Sequence, residues 1–318
     1  MSTAPKAGIV VVGSLNADLT IYTDRLPQPG ETVHGNGFAV NPGGKSANQA
    51  VAASKLGGQV SLIGAVGQDA NGNMLLESTA RSGVDVSRVR RSDAATGVAV
   101  ISVDASGENS IIISAGANGT LSPADVDSEA FRDAAVVCLC LEVGIDTVIA
   151  AAQAGHDAGA TVLLNLSPYA EVPEELAGLS DVLLVNAHEA SLFLGAEADI
   201  PDSSSGSEAW EPVREQFAER GLQRVLVTLG SQGSVVLDSL AGSGESRITR
   251  IAPTRVSAVD TTGAGDAFTG AVAARLAAGE SLADAAAFAS VAAALAATKK
   301  GTQAAYATLE EVEAARRP

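Results

Sequence analysis

Short runs rich in Val, Leu and Ile alternate along the chain with stretches of helical period, a pattern that predicts a mainly parallel sheet covered by helices. The strand candidates are residues 9–12, 60–65, 136–141, 162–165, 182–185 and 225–228. Each is apolar at nearly every position, as suits a strand buried on both faces. Helices are expected over 46–56, 72–82, 146–156 and 210–220, with two longer ones, 263–278 and 281–297, further on. Gly57-Gly58 supplies a stop for the first of these. The Ala-rich run 285–297 contains Ser290 and is followed by Lys299 and Lys300, so it reads as a buried helix and not a membrane span.

Two stretches break the rhythm. Residues 19–40 carry Pro27, Pro29 and Gly30 before a strand-like run, 31–40. Residues 96–114 alternate in β fashion around a turn at 104–108 and read as a hairpin. Such insertions do not extend a parallel sheet. They predict a small separate β layer, residues 17–42 and 96–114, on a single α/β domain spanning 1–318. A lid over an active site is one use for it. The polar tract 201–208 reads as a surface loop.

Composition narrows the partners. Hydrophobic residues make up 46% and charged residues 18%, enough for a large core. Acidic residues outnumber basic ones 37 to 20, and the formal charge is −17. Such a surface repels nucleic-acid phosphates and anionic lipids, and aromatics at 3% build no base-stacking platform. Neither nucleic acid nor a membrane is therefore expected as a partner, and an anionic substrate must be met locally. The run 9–12 is too short for a signal or membrane segment, the residues before it read as a frayed tail, and a cytoplasmic protein is expected. Cys138 and Cys140 lie on one face of a strand and read as core. His34, His156 and His188 show no metal-ligand spacing.

The sharpest chemical signal is Asp260-Thr261-Thr262-Gly263-Ala264-Gly265-Asp266, between a strand-like run (255–259) and a helix. Small residues at Gly263, Ala264 and Gly265 let backbone N–H groups approach a ligand, and the helix dipole adds positive character, giving an anion hole. Asp266 at that helix start either caps the helix or accepts a proton from an attacking hydroxyl, a role worth about 10²–10⁴ in rate. Gly43-Gly44-Lys45-Ser46-Ala47-Asn48 opens another helix but is no Walker A loop, since residue 39 is Ala39 where a glycine is required, and Asn41-Pro42 reads as a turn. Phe268 likewise breaks a dinucleotide fingerprint. Asn16 and Asp18 follow the first strand, either as turn formers or as readers of neighbouring hydroxyls. Glu142, and Asn186 with Glu189, stand at further strand ends, where ligands of open α/β sheets gather. An acid and an amide so placed could hold water around Mg²⁺. Thr228-Leu229-Gly230-Ser231-Gln232-Gly233 reads as a tight turn or as a backbone-lined nucleotide pocket.

Together these segments resemble the ribokinase, or PfkB-like, family of carbohydrate kinases over nearly the whole chain. The stretch ending at Asp266 matches the family's C-terminal signature. Gly43 to Asn48 match the N-terminal one except at Ser46, where glycine is usual. Residues 13–18, 29–33 and Gly116-Ala117-Asn118 are most similar to the family's ribose-phosphorylating branch. The resemblance implies ATP-dependent phosphorylation of D-ribose at its 5-hydroxyl, with Asp266 as the base and the amides of Ala264 and Gly265 on the transferring phosphoryl group. It implies that Asn16, Asp18, Gly44, Lys45, Ser46, Ala47, Asn48 and Glu142 line the sugar site. Asn186 and Glu189 would support phosphates and Mg²⁺, while Thr228 to Gly233 and Ser290 would line the ATP site. A K⁺ site would involve Asp260 and carbonyls of Thr262, Ala296, Lys299 and Gly301, although the family's serine near position 305 is replaced by Ala304-Ala305. Family members commonly form homodimers through their β lids. Other family substrates (deoxyribose, fructose, a ketodeoxy-acid or a nucleoside) and a non-catalytic sugar-binding regulator are the alternatives.

Overall fold

The computed structural model describes residues 7–106, 108–195 and 198–317. The frayed tail expected at 1–6, and Gly107 of the expected turn, lie outside the described residues. The strands are β1 (Gly8–Val12), β2 (Asn16–Thr23), β3 (Gly35–Gly43), β4 (Gln59–Gly67), β5 (Val89–Ser92), β6 (Gly97–Val103), β7 (Asn109–Ser114), β8 (Ala134–Cys140), β9 (Thr161–Asn165), β10 (Val182–Asn186), β11 (Arg224–Thr228), β12 (Ser234–Asp238) and β13 (Ile248–Ile251). The helices are α1 (Lys45–Lys55), α2 (Ala70–Arg81), α3 (Ile145–Asp157), α4 (Glu174–Leu179), α5 (Ala187–Leu194), α6 (Ser207–Glu219), α7 (Ala264–Ala277), α8 (Leu282–Ala297) and α9 (Leu309–Ala315).

A nine-stranded sheet runs β13-β12-β11-β10-β9-β8-β1-β4-β5. It is parallel from β11 to β5 and antiparallel at β12 and β13. Its strands are apolar throughout because each feeds two cores. Ile9, Val11, Val136, Cys138 and Leu184 face the layer of α1, α7 and α8. Val10, Val12, Val137, Leu139 and Val185 face the layer of α3 to α6. The chain proceeds from β1 to β4 on one side and later returns through β8 on the other. The C-terminal ends of β1 and β8 therefore flank the switch in strand order, where open α/β sheets bind ligands.

The expected separate β layer is a four-stranded sheet, β3-β2-β6-β7. Its outer pairs are antiparallel, and β2 and β6 run parallel. Pro42, expected in a turn, instead lies inside β3. β3 is the edge strand beside β2, and an edge strand tolerates a residue without an N–H. The strand expected at 255–259 does not form: the segment is irregular, with Val256 and Val259 exposed. Instead the amides of Val259 and Asp260 donate to Ala297 O at the end of α8. Among the described residues no helix is long and apolar enough to cross a membrane.

Candidate active site

Two helices meet at the switch point, and a missing side chain sets their distance. A Cβ on Gly270 of α7 would fall 2.5 Å from Gln49 O and 2.6 Å from Ala52 Cβ of α1. Glycine there lets the helices touch, and this brings the first turn of α1 against the first turn of α7. Asn48 Nδ2 donates to Asp266 Oδ2 and Gln49 Nε2 to Asp266 Oδ1, each at 3.0 Å. Gly263, the N-cap of α7, adopts a left-handed conformation and supplies no side-chain cap. Both oxygens of Asp266 turn to α1 instead of to their own helix, so capping does not account for this carboxylate. Burial pushes the Asp266 carboxyl upward, while Lys45 and the two amide donors oppose that rise. The amide of Ala264 closes a turn on Thr261 O at 3.1 Å. Those of Gly265 and Asp266 have no hydrogen-bond partner among the described residues.

Around Asp266 stands a polar floor from four elements. Asn16 and Asp18 are not in a turn but open β2. Asn16 Oδ1 accepts from Asn118 Nδ2 at 2.8 Å, and Asn118 also clasps the backbone of Leu15. Asp18 lies over Gly43, where a Cβ would come within 2.2 Å of its carboxylate. Burial first, then the charges of Glu142 and Asp266, raise the Asp18 carboxyl from 3.8 to about 7. Gly44 is the N-cap of α1, and Lys45, Ser46, Ala47 and Asn48 form its first turn. Glu142 Oε2 accepts from Ser14 Oγ at 2.6 Å and from the Lys45 amide at 3.0 Å. Burial lowers the Lys45 ammonium, but the charges of Asp266, Glu142 and Glu189 outweigh it and hold it above its ordinary value. Ser46, the departure from the family pattern, places Oγ 3.1 Å from Cys140 Sγ inside the core. Tyr306, almost wholly buried, aims a hydroxyl that has no hydrogen-bond partner among the described residues at the Gly263 turn, 2.8 Å from where a Cβ would be. Its pKa is pushed well up by burial and by Asp266 and Asp18, so it stays protonated.

The residues that the sequence suggests for the nucleotide form a second group. Asn186 pairs in register with Thr228, and Thr228 Oγ1 donates to Val185 O at 3.3 Å. Asn186 and Glu189 form a reciprocal capping box on α5, which leaves Glu189 Oε1 free of hydrogen bonds among the described residues. Gly230, Ser231 and Gln232 form a single tight turn after Leu229. Gly233 lies against residues 251–253, and Ser290 Oγ ties the next part of that segment to α8 through Ala252 O and the Thr254 amide. No group of three or more His, Cys, Asp or Glu that could hold a metal occurs among the described residues. A divalent ion at Glu189 would be held through one carboxylate oxygen and water, which suits Mg²⁺. Asp260 accepts from the amides of Thr262 and Gly301 at 2.9 Å each. Burial alone would raise its carboxyl; those amides and Lys300 hold it below the ordinary value. Through Gly301 this carboxylate is tied to the turn that follows α8. A cavity of about 790 Å³ among Tyr169, Phe193 and Arg220 shares no residue with any of these groups.

Residues 6–309 match the model of the family described as pfkB family carbohydrate kinase. The chain belongs to the pfkB family of carbohydrate kinases. A ribokinase of Schizosaccharomyces pombe is 37% identical to this kinase over 96% of both chains. A deoxyribokinase of Salmonella typhimurium is 34% identical over 95% of this chain and 96% of its own. The Arabidopsis thaliana ribokinase, solved with ribose and ATP, superposes with a TM-score of 0.87 at 34% identity, covering 98% of this chain and 99% of that one.

Asp266, Asn48, Glu142 and Asp18, all singled out from the sequence, come together here, and the structure adds Gln49 and Ser14 to them. One signal was present: Ser46, Asn48 and Gln49 put polar side chains in the buried first turn of a helix that is otherwise rich in Ala and Val.

Proposed function

We propose that this carbohydrate kinase phosphorylates D-ribose at its 5-hydroxyl, using ATP. The observation that carries the reading is Asp266: a buried carboxylate on the first turn of a helix without a side-chain cap, turned toward the polar floor. Asp18, Asn16 and Glu142 present acceptors for sugar hydroxyls, with Asp18 on a vicinal pair, and Gly44 to Asn48 close the floor. Asp266 takes the proton of the 5-hydroxyl as the sugar oxygen attacks the terminal phosphorus of ATP, and the bond from that phosphorus to its bridging oxygen breaks to release ADP. The Gly265 amide, joined by that of Ala264 once it releases Thr261, receives the phosphoryl oxygens. Lys45, which feels the charges of both Asp266 and Glu189, spans the sugar and nucleotide groups. Asn186 and Glu189 would hold water around Mg²⁺, which neutralises phosphate charge when bound. Thr228 to Gly233 and Ser290 line the nucleotide. Asp260 and the carbonyls of Thr262, Ala296, Lys299 and Gly301 would hold K⁺, which strengthens the positive field beside the anion hole.

The four-stranded sheet acts as a lid on a single functional unit, and its outer face pairs with that of a second copy in a homodimer. On the face opposite Asp18, Phe38 is 65% and Ile112 71% exposed, and Ile21, Val40 and Val100 are exposed in the same register rows, an apolar surface that water disfavours. Ile112→Glu should yield a monomer in sedimentation; an unchanged dimer would refute the pairing. The acidic chain and its use of ATP fit a cytoplasmic enzyme.

The Salmonella relative makes 2-deoxyribose the competing substrate. The deciding experiment is ADP release from purified protein with Mg-ATP and a panel of pentoses, hexoses and nucleosides, in K⁺ and in Na⁺. Ribose should lead in kcat/KM, and activity should be higher in K⁺. Release no greater than background with every sugar would end the kinase reading.

A further inference from the structure

The two amides that hold Asp266 are themselves held from behind. Gln303 Nε2 donates to Asn48 Oδ1 at 3.0 Å, and the Cys138 thiol donates to Gln49 Oε1 at 3.3 Å. An amide has one accepting and one donating end. A donor fixed at the oxygen of Gln49 therefore directs its NH₂ toward Asp266. The flipped amide would face an oxygen to a carboxylate and leave the thiol unmatched. Gln49 and Cys138 are both 0% exposed, so solvent does not repair such a mismatch.

We propose that Gln49, locked in orientation by the Cys138 thiol, is a positioning residue for Asp266, fixing the plane of its carboxylate and keeping it in proton-accepting form. The inference rests on the reading of Asp266 as the base. Each carboxylate oxygen retains a second lone pair, so the amide bonds leave room for the sugar hydroxyl. The groups facing Asp266 are Lys45 of α1, Asp18 of β2, Cys138 of β8, Glu142 just beyond β8, and Tyr306 ahead of α9. Among them only Lys45 and the amides of Asn48 and Gln49 favour the charged carboxylate. Removing the Gln49 donor lets a proton bind Asp266 at higher pH, so the lost activity is largest on the acid side.

The test is kcat against pH, with saturating ribose and Mg-ATP, for wild type, D266N, Q49L, C138A and C138S. A lost hydrogen bond to a charged group predicts that Q49L loses about 10- to 100-fold in kcat near pH 6 and much less near pH 9, with the ribose KM little changed. C138A should move the acid limb in the same direction by a smaller amount. C138S, whose hydroxyl again donates, should move it back. A Q49L loss that is constant across pH, or a C138S limb no different from that of C138A, overturns the proposal. If Q49L does not fold, the Cys138 pair decides alone. Inactive wild type, or D266N as fast as wild type, fails the kinase reading instead and takes this inference with it.

Discussion

The sugar end and the nucleotide end of the candidate site are built from different materials. At the sugar end, Asn48 and Gln49 of α1 hold Asp266 of α7, Ser14 holds Glu142, and the carboxylates of Asp18, Glu142 and Asp266 are pressed together. At the nucleotide end, the polar groups mostly serve the local fold: Asn186 and Glu189 cap α5, Ser290 pins a loop, and Gly230 and Gly233 shape a turn. A small neutral sugar has to be read hydroxyl by hydroxyl, which takes side chains held in place. A triphosphate can be met by backbone amides and a metal, which asks mainly for shape. Side-chain substitutions should therefore act strongly at one end and weakly at the other.

The largest effect belongs to Asp266. Asp266→Asn should lower kcat by about 10²–10⁴ while calorimetry finds ribose binding largely intact. Near-normal turnover would remove Asp266 as the base. Next comes Asp18. Losing hydrogen bonds to a charged group should raise the ribose KM of Asp18→Asn by about 10- to 100-fold. Its carboxyl titrates at about 7 in the folded chain against an ordinary value of 3.8, so the fold binds a proton that the unfolded chain has released. Stability from this group is thus present below pH 3.8 and lost as pH rises through about 7. Asp18→Asn should raise Tm at pH 8, about 2–4 °C for each kcal/mol recovered, and leave it nearly unchanged at pH 4. In the wild type, kcat/KM for ribose should climb from pH 6 to pH 8 as Asp18 ionises; a flat profile there would contradict its role. Gly43→Ala should reproduce part of the KM defect, because the new methyl would displace the Asp18 carboxylate.

How much of this was legible in the sequence followed from what each residue depends on. Central strands such as Thr161–Asn165 were readable to within a residue because burial on both faces leaves them apolar throughout. β5 was not, since its sequence is Val-Arg-Arg-Ser. Its arginines are satisfied across the fold: Arg90 by Asp125, and Arg91 by Gly67 O and Asn73. The apolar run at 255–259 misled for the converse reason, having strand composition but no neighbour to pair with. Asp266 stood out through its small-residue turn, a local feature. Gln49 and Cys138 did not, because Gln49 reaches Asp266 only where α1 meets α7 at Gly270, and meets Cys138 only where α1 packs on β8.

The smallest predicted effect is the most pointed test of the contrast. Thr228→Val removes one neutral hydrogen bond, Oγ1 to Val185 O at 3.3 Å, and keeps the side chain's shape. A bond of that kind is worth about 0.5–1.5 kcal/mol, so the ATP KM should rise by no more than about 10-fold and the ribose KM should not move. Gly233→Ala alters backbone instead: φ is 97°, and the new Cβ would lie 2.2 Å from Ile251 O. The turn from Gly230 to Gln232 must shift to admit it, so the ATP KM should rise further than in Thr228→Val. If steady-state kinetics show the valine variant as the more damaged of the two, the nucleotide end is read by side chains after all, and the division between the two ends does not hold.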